Sequence, residues 1–112
     1  MATVQECRQA LDRLAAKLEA SAASGGKRID LDRTLACRVT DLGVAFHARL
    51  AGGRLQDITD GDDPRAKITL TTTSDDLVAL VEGRLDFARA MATRRVSIGA
   101  SPFDLLKLRK LL

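Results

Sequence analysis

The chain has 112 residues, the size of one domain, and its 46% hydrophobic and 29% charged residues are typical of a globular protein. Lysine and arginine number 18 and aspartate and glutamate 15, which gives a net charge of +3. Three phenylalanines are the whole aromatic content, which argues against a base-stacking platform for nucleic acid and against an aromatic sugar-binding cleft. We therefore expect one domain over residues 1–112 that does not bind nucleic acid.

The cysteines and the first residues of the chain predict a reduced, cytoplasmic protein. The N-terminus shows no signal-peptide pattern, and no apolar run is long enough to span a membrane. Cys7 and Cys37 are the two cysteines, and together with the single histidine, His47, they make no metal-ligand spacing. We expect two buried thiols, no metal and no cofactor.

A stripe of apolar residues predicts an N-terminal amphipathic helix. Its members alternate at spacings of three and four residues: Val4, Cys7, Leu11, Leu14 and Leu18. Thr3 and Glu6 have the spacing of a capping box at the start of this helix. The glycines in Ser24-Gly25-Gly26 predict its end.

Alternating apolar and polar residues then predict a sheet. The expected strands are 35–40, 44–50, 54–58 and 67–71, with a turn at 41–43 and a hairpin at Gly52-Gly53. The polar side chains of these segments fall on one face: Arg38, Thr40, His47, Arg49, Lys67, Thr69 and Thr71. We expect water on that face and helices on the other.

Helix caps organise the last third of the chain. Ser74 is expected to cap a helix that ends at Gly83, and Asp86 a short helix before a fifth strand over 95–98. Ser101 followed by Pro102 predicts the start of a closing helix.

The closing helix carries two apolar stripes. Leu105, Leu108 and Leu112 form one, and Phe103 and Leu106 lie on a different flank. A helix that lies only on a sheet needs one stripe, so the second predicts another apolar neighbour. That neighbour is a helix, a partner chain or a lipid.

Positive charge is concentrated near the C-terminus. Residues 84–112 hold seven basic residues against two acidic ones, and the basic ones are Arg84, Arg89, Arg94, Arg95, Lys107, Arg109 and Lys110. Such a segment favours an anionic surface, or is simply a solvated face.

Residues that could carry chemistry form no recognisable catalytic pattern. The aspartates between 57 and 63 lack the spacing of a calcium loop and are typical of turns. His47 has no identifiable nucleophile or orienting partner, and Ser74 and Ser101 are explained as helix caps. No catalytic residue is predicted.

The order of several short motifs resembles the sterol carrier protein type 2 domain family. The matching pieces are 66–71, Ser74-Asp75-Asp76-Leu77 with Leu80 and Gly83, Leu85-Asp86, Ala90-Met91 and Val96-Ser97-Ile98-Gly99. Residues 41–57 also resemble the second and third strands of that family, so the resemblance covers 4–112. The run 92–95 departs from it, because a glycine is common before the fifth strand.

This resemblance implies an α/β domain of the α+β type: a five-stranded, mainly antiparallel sheet covered on one face by helices, with an apolar tunnel between. It implies non-enzymatic binding and intracellular transfer of a fatty acid, acyl thioester or similar lipid, in a bacterial stand-alone protein for which sterol is a less expected ligand. Phe46 and Ile68 would form the tunnel floor. The expected walls are Leu77, Leu80, Val81, Phe87, Met91, Phe103 and Leu106.

The resemblance also leaves an alternative function open. The same fold occurs as an appended domain of larger enzymes, so the chain could be a homodimerising or enzyme-docking module without bound lipid. The expected partners are accordingly an apolar lipid, an anionic membrane in transient contact, and a second copy of the chain.

Overall fold

A computed structural model describes residues 2–23, 32–52 and 54–109. The elements in chain order are α1 (Val4–Ala23), β1 (Arg33–Val39), β2 (Val44–Ala51), β3 (Arg54–Asp60), β4 (Ile68–Thr72), α2 (Ser74–Glu82), α3 (Phe87–Ala92), β5 (Val96–Gly99) and α4 (Pro102–Arg109). The predictions for Ser24-Gly25-Gly26, Gly53 and Leu112, and for the side chain of Leu108, lie outside the described residues.

The strands form one sheet in the order β3-β2-β1-β4-β5. β1 and β4 are parallel, and every other neighbouring pair is antiparallel. Cys37 of β1 lies opposite both Phe46 of β2 and Leu70 of β4, so these three side chains share the face that α1 and α2 cover. The mainly antiparallel α+β fold is confirmed.

The other face of the sheet is polar, as the alternation predicts. Thr40, Arg49 and Lys67 are exposed, and Arg38 and His47 are half-buried. Thr69 and Thr71 are half-buried as well. This face therefore remains in contact with water.

The start of α1 is held by the predicted capping box. The Glu6 N–H donates to Thr3 Oγ1 at 3.1 Å, and the Thr3 N–H donates to Glu6 Oε1 at 3.1 Å. Cys7 and Leu11 are buried on the inner side of the helix, whereas Val4 at its first turn is exposed.

The predicted cap of α2 is wrong by one residue. Thr73 is the N-cap, and its hydroxyl accepts the Asp76 N–H at 3.3 Å. Ser74 is the first helical residue and is fully buried; its hydroxyl donates to Asp41 Oδ2 at 2.6 Å and accepts the Ala2 N–H at 3.1 Å. Because the Ser74 hydroxyl is hydrogen-bonded to Asp41 in the turn after β1, the neighbouring residue Thr73 caps the helix instead.

Three other predicted helix ends, those at Gly83, Asp86 and Ser101, are confirmed. Gly83 ends α2 in the left-handed conformation with φ 80°, and the Asp86 side chain accepts the Arg89 N–H at the start of α3. Ser101 Oγ accepts the Asp104 N–H at 3.2 Å at the start of α4. Among the described helices, none has the length and apolar character needed to cross a bilayer.

Candidate functional site

One part of the inner sheet face is sealed by two helices. The sealed core consists of Cys7, Ala10 and Leu11 from α1, Cys37, Val39 and Phe46 from the sheet, and Leu77 and Val81 from α2, all buried. Such close packing leaves no room for an alkyl chain between the two helices and the sheet unless the helices move.

The opposite end of the same face is only partly covered. Leu50 and Ile68 are buried there, and half-buried apolar residues surround them: Leu18, Leu35, Ile98 and Ala100. We call these six residues the apolar end of the core. Leu35 lies opposite Ile68 in the β1–β4 register, which places the set at the start of both strands.

The first turn of α4 is tied to this end of the sheet. Asp104, with only 4% of its surface exposed, lies 3.1 Å from Arg33 through Oδ2 and Nε. Arg33 pairs with Leu50 in the β1–β2 register, so the ion pair holds α4 next to the apolar end. A buried carboxylate is costly without such a partner, so Asp104 sets the orientation of the helix.

This orientation leaves apolar side chains of α4 in water. Phe103 is 79% exposed and Leu106 59% exposed, whereas Leu105 is half-buried. The separation of Phe103 and Leu106 from the Leu105 stripe is therefore as predicted. No described neighbour covers this second flank.

The nine residues predicted to line a tunnel occupy four environments. Phe46, Leu77 and Val81 belong to the sealed core, and Ile68 belongs to the apolar end. Leu80 and Phe87 are half-buried, and Met91, Phe103 and Leu106 are exposed. The tunnel lining stays a prediction.

Sequence reasoning missed most of the apolar end. Leu18 lies on the predicted apolar stripe of α1, and Leu35, Leu50 and Ile98 lie in predicted strands, but the packing of these residues with Ile68 is visible only in the folded structure. The parallel pairing of β1 with β4 brings Leu35 next to Ile68. The alternation of apolar and polar residues along each strand does not predict which strands pair in parallel.

Two cavities among the described residues differ from the predicted tunnel. A cleft of about 670 Å³ lies open to solvent beside Val4, Val44 and the loop after β3, and its lining includes Val39 and the predicted tunnel residue Phe46. Two carboxylates in its lining are already paired: Asp60 with Arg8 and Asp62 with Arg38, each at 3.1 Å.

The second cavity is a void of about 10 Å³ that touches Leu11, Leu35 and Phe46. It is close to the volume of one water molecule. An alkyl chain could enter only if the surrounding core opened.

Several ionisable groups of the described residues are engaged in structural contacts. The hydrogen bond from Ser74 lowers the pKa of Asp41, and that from Arg49 lowers the pKa of Asp32. Burial raises the pKa of the Cys37 thiol to about 12. His47 Nδ1 lies 2.9 Å from the Gly61 carbonyl oxygen. Within the described ranges, no three potential metal ligands come together.

Two groups of solved structures share this fold. The stereoselective inverting sec-alkylsulfatase of a Pseudomonas species matches with a TM-score of 0.62 and 25% identity over 82% of this chain. The chain spans only 14% of the length of that enzyme.

The second group consists of sterol carrier proteins. Palmitated sterol carrier protein 2-like 2 of Aedes aegypti has a TM-score of 0.70 and 15% identity, over 98% of this chain and 94% of that one. Sterol carrier protein 2 of the same species, in complex with palmitate, has a TM-score of 0.60 and 20% identity, over 98% and 96% of the two chains. No curated protein sequence matches.

The sheet order, the covering helices and these matches define a sterol carrier protein 2-like domain. The predicted family resemblance is confirmed at this level. A more specific family model, that of the alkyl sulfatase C-terminal domain, matches residues 2–112. The chain belongs to the alkyl sulfatase C-terminal family.

Proposed function

We propose that this domain binds the alkyl chain of an apolar ligand, without catalysing a reaction, at the apolar end of the core. The observation that carries the proposal is the contrast between the two parts of one sheet face. Around Phe46 eight side chains of α1, α2 and the sheet are buried together, with six half-buried apolar neighbours. At the apolar end only Leu50 and Ile68 are buried, and the other four side chains are half-buried.

The half-buried rim is chemically suited to an alkyl chain. Leu18, Leu35, Ile98 and Ala100 offer only apolar side chains, and each methylene group that leaves water there contributes about 0.8 kcal/mol. A long chain could thereby reach micromolar affinity after the costs of ordering it. The palmitate named for two structures of the same fold is consistent with such a ligand.

A non-enzymatic role fits the placement of the candidate nucleophile and base. The Ser74 hydroxyl is fully buried and already donates to Asp41, so a substrate cannot reach it. His47 is bonded to the backbone of the loop after β3. Neither group is available for the nucleophile–base geometry that acyl or sulfate-ester hydrolysis would require.

A second candidate function is docking, either to an enzyme or to another copy of the chain. Two observations favour it: the large exposed fractions of Phe103 and Leu106 on α4, and a family named for the C-terminal part of an enzyme. A lipid carrier would also transfer its ligand inside the cell and make transient contact with membranes. A docking module would need neither property.

Two glutamine substitutions on α1 test the carrier function. Leu14 and Leu18 lie one turn apart on the same stripe and are both half-buried, but Leu14 packs on the sealed core and Leu18 on the apolar end. Leu18→Gln should weaken binding of a fluorescent long-chain fatty acid about tenfold, because about 1.4 kcal/mol of apolar contact is lost.

Leu14→Gln is the matched control and should bind the fatty acid as wild type does. Both variants keep a good helix former at an equally accessible position, so circular dichroism should report the same fold. Equal weakening by the two variants would place the ligand elsewhere. Absence of saturable binding by the wild type would contradict the proposal outright.

A further inference from the structure

Two helices end in the same hydrogen-bonded motif but use different residues at its critical position. At the end of α2, the Arg84 N–H donates to the Ala79 carbonyl at 2.9 Å. The Gly83 N–H donates to the Leu80 carbonyl at 3.3 Å. Gly83 has the left-handed φ, 80°, that this motif requires and that glycine adopts without steric cost.

α3 ends in the same pattern with an arginine in place of the glycine. The Arg95 N–H donates to the Ala90 carbonyl at 2.8 Å, and the Arg94 N–H to the Met91 carbonyl at 3.2 Å. Arg94 has φ 62°. A residue with a β-carbon pays for that conformation in free energy, so glycine would be the more stable choice at position 94.

Among the residues that the structure describes, no contact of the Arg94 side chain accounts for this cost. Arg94 and Arg89 are exposed, and no carboxylate of the described residues pairs with either. Arg95 differs, because its Nε lies 3.7 Å from Asp76 Oδ1. The guanidinium groups of Arg89 and Arg94 are therefore exposed and make no ion pair with a described carboxylate; the nearest acidic residue along α3 is its exposed N-cap, Asp86.

The exposed side chains that accompany these arginines on α3 are apolar. Met91 is 38% exposed, and Ala88 and Ala92 are exposed too. A free phosphate would be bound by the guanidinium groups alone and would not use these side chains. A bilayer with anionic headgroups would contact both kinds of side chain.

We propose that Arg89, Met91 and Arg94 form a docking surface for anionic membranes. The guanidinium groups would bind lipid phosphates while Met91 reaches the boundary of the acyl chains. This inference rests on the proposed function, since a carrier of alkyl chains must collect them from a membrane. It adds a surface separate from the six residues of the apolar end.

The variant Arg94→Gly gives the proposal two opposite expected effects. Its thermal unfolding midpoint should rise, because the left-handed backbone is relaxed. Its binding to vesicles of phosphatidylglycerol and phosphatidylcholine should weaken about fivefold, the typical contribution of one arginine at an anionic surface. Vesicles of phosphatidylcholine alone should bind both proteins poorly, and about 0.5 M salt should abolish the difference.

A charge-matched control moves the arginine from one motif to the other. The double variant Arg94→Gly with Gly83→Arg keeps the composition and net charge. A β-carbon at position 83 meets nothing within 4 Å, and its φ of 80° strains the new arginine as φ 62° strains Arg94 in the wild type, so circular dichroism must show the same fold. Vesicle binding should stay weakened in this variant. Restored binding would show that net charge suffices and would overturn the docking surface.

Two other results would also overturn the proposal. One is unchanged vesicle binding by Arg94→Gly. The other is a wild type that ignores anionic vesicles, which would point to a carboxylate-rich protein partner instead. Titration with fatty acid in the absence of vesicles separates this inference from the carrier function. Arg94→Gly should bind the fatty acid as the wild type does. A wild type that binds vesicles but no fatty acid would contradict only the carrier function.

Discussion

At the scale of single residues, the two thiols are sealed between α1 and the sheet. Cys7 and Cys37 are buried in one core cluster, and burial raises the pKa of both, that of Cys37 to about 12. Because only the thiolate reacts rapidly, neither group should behave as a free surface cysteine.

Thiol labelling therefore should be slow in the native protein. We expect both cysteines to react with a maleimide or disulfide reagent far more slowly than the unfolded chain does at the same pH. Reaction of both thiols in the folded protein at the rate of a model thiol would contradict the assigned inner faces of α1 and β1.

A second residue-scale feature is the junction of Ser74 with Asp41 and Ala2. Ser74→Ala should lower the free energy of unfolding by about 1–3 kcal/mol at pH 7, because the Ala2 N–H loses its acceptor in a buried place. Ser101→Ala, at an exposed cap, is the control and should cost about 1 kcal/mol.

The same junction makes a pH-dependent contribution. The pKa of Asp41 is lowered in the folded state by its hydrogen bond from Ser74. Its stabilising contribution is therefore present above the ordinary pKa of 3.8 and is lost as the pH falls through the folded value. Denaturant titrations between pH 7 and pH 2 should show a shallower acid loss of stability in Ser74→Ala than in Ser101→Ala. Parallel profiles would contradict the role of Asp41.

At the scale of elements, α4 is unusual because a carboxylate faces inward and leucine and phenylalanine face outward. Leu106→Lys should change the free energy of unfolding by less than about 0.5 kcal/mol, since the side chain is already in water. Leu105→Lys, one residue away and half-buried, should cost about 1–3 kcal/mol. Thermal unfolding of the two variants measures the difference, and equal losses would mean that Leu106 is covered in solution.

Local signals account for the elements that the sequence predicts well. The capping box of Thr3 and Glu6 and the Asp86 cap depend on residues three positions apart, so the pattern is visible along the chain. The role of Ser74 depends on Asp41, 33 residues earlier, and no local rule identifies that partner. At position 94 the local rule is itself broken: the left-handed backbone there favours glycine, but the residue is an arginine.

At the scale of the whole molecule, the fold is easier to predict than the site. Alternation and caps define five strands and their helices, but the place where the apolar face stays open depends on how far α1, α2 and α4 extend over the sheet. The resemblance implies that Phe46, Leu77 and Val81 line a tunnel; in the structure they are buried where both helices cover the sheet, and their part in a tunnel stays a prediction. Ile68 lies past that cover.

Native mass spectrometry of the purified protein, before and after solvent extraction, tests the central claim most directly. Binding at the apolar end predicts one alkyl-chain lipid per chain before extraction, its loss on extraction, and a one-to-one complex when a long-chain fatty acid is added back. A lipid-free mass in every preparation, with no complex formed after the fatty acid is added, would contradict the carrier function; a lipid-free dimer would support docking instead.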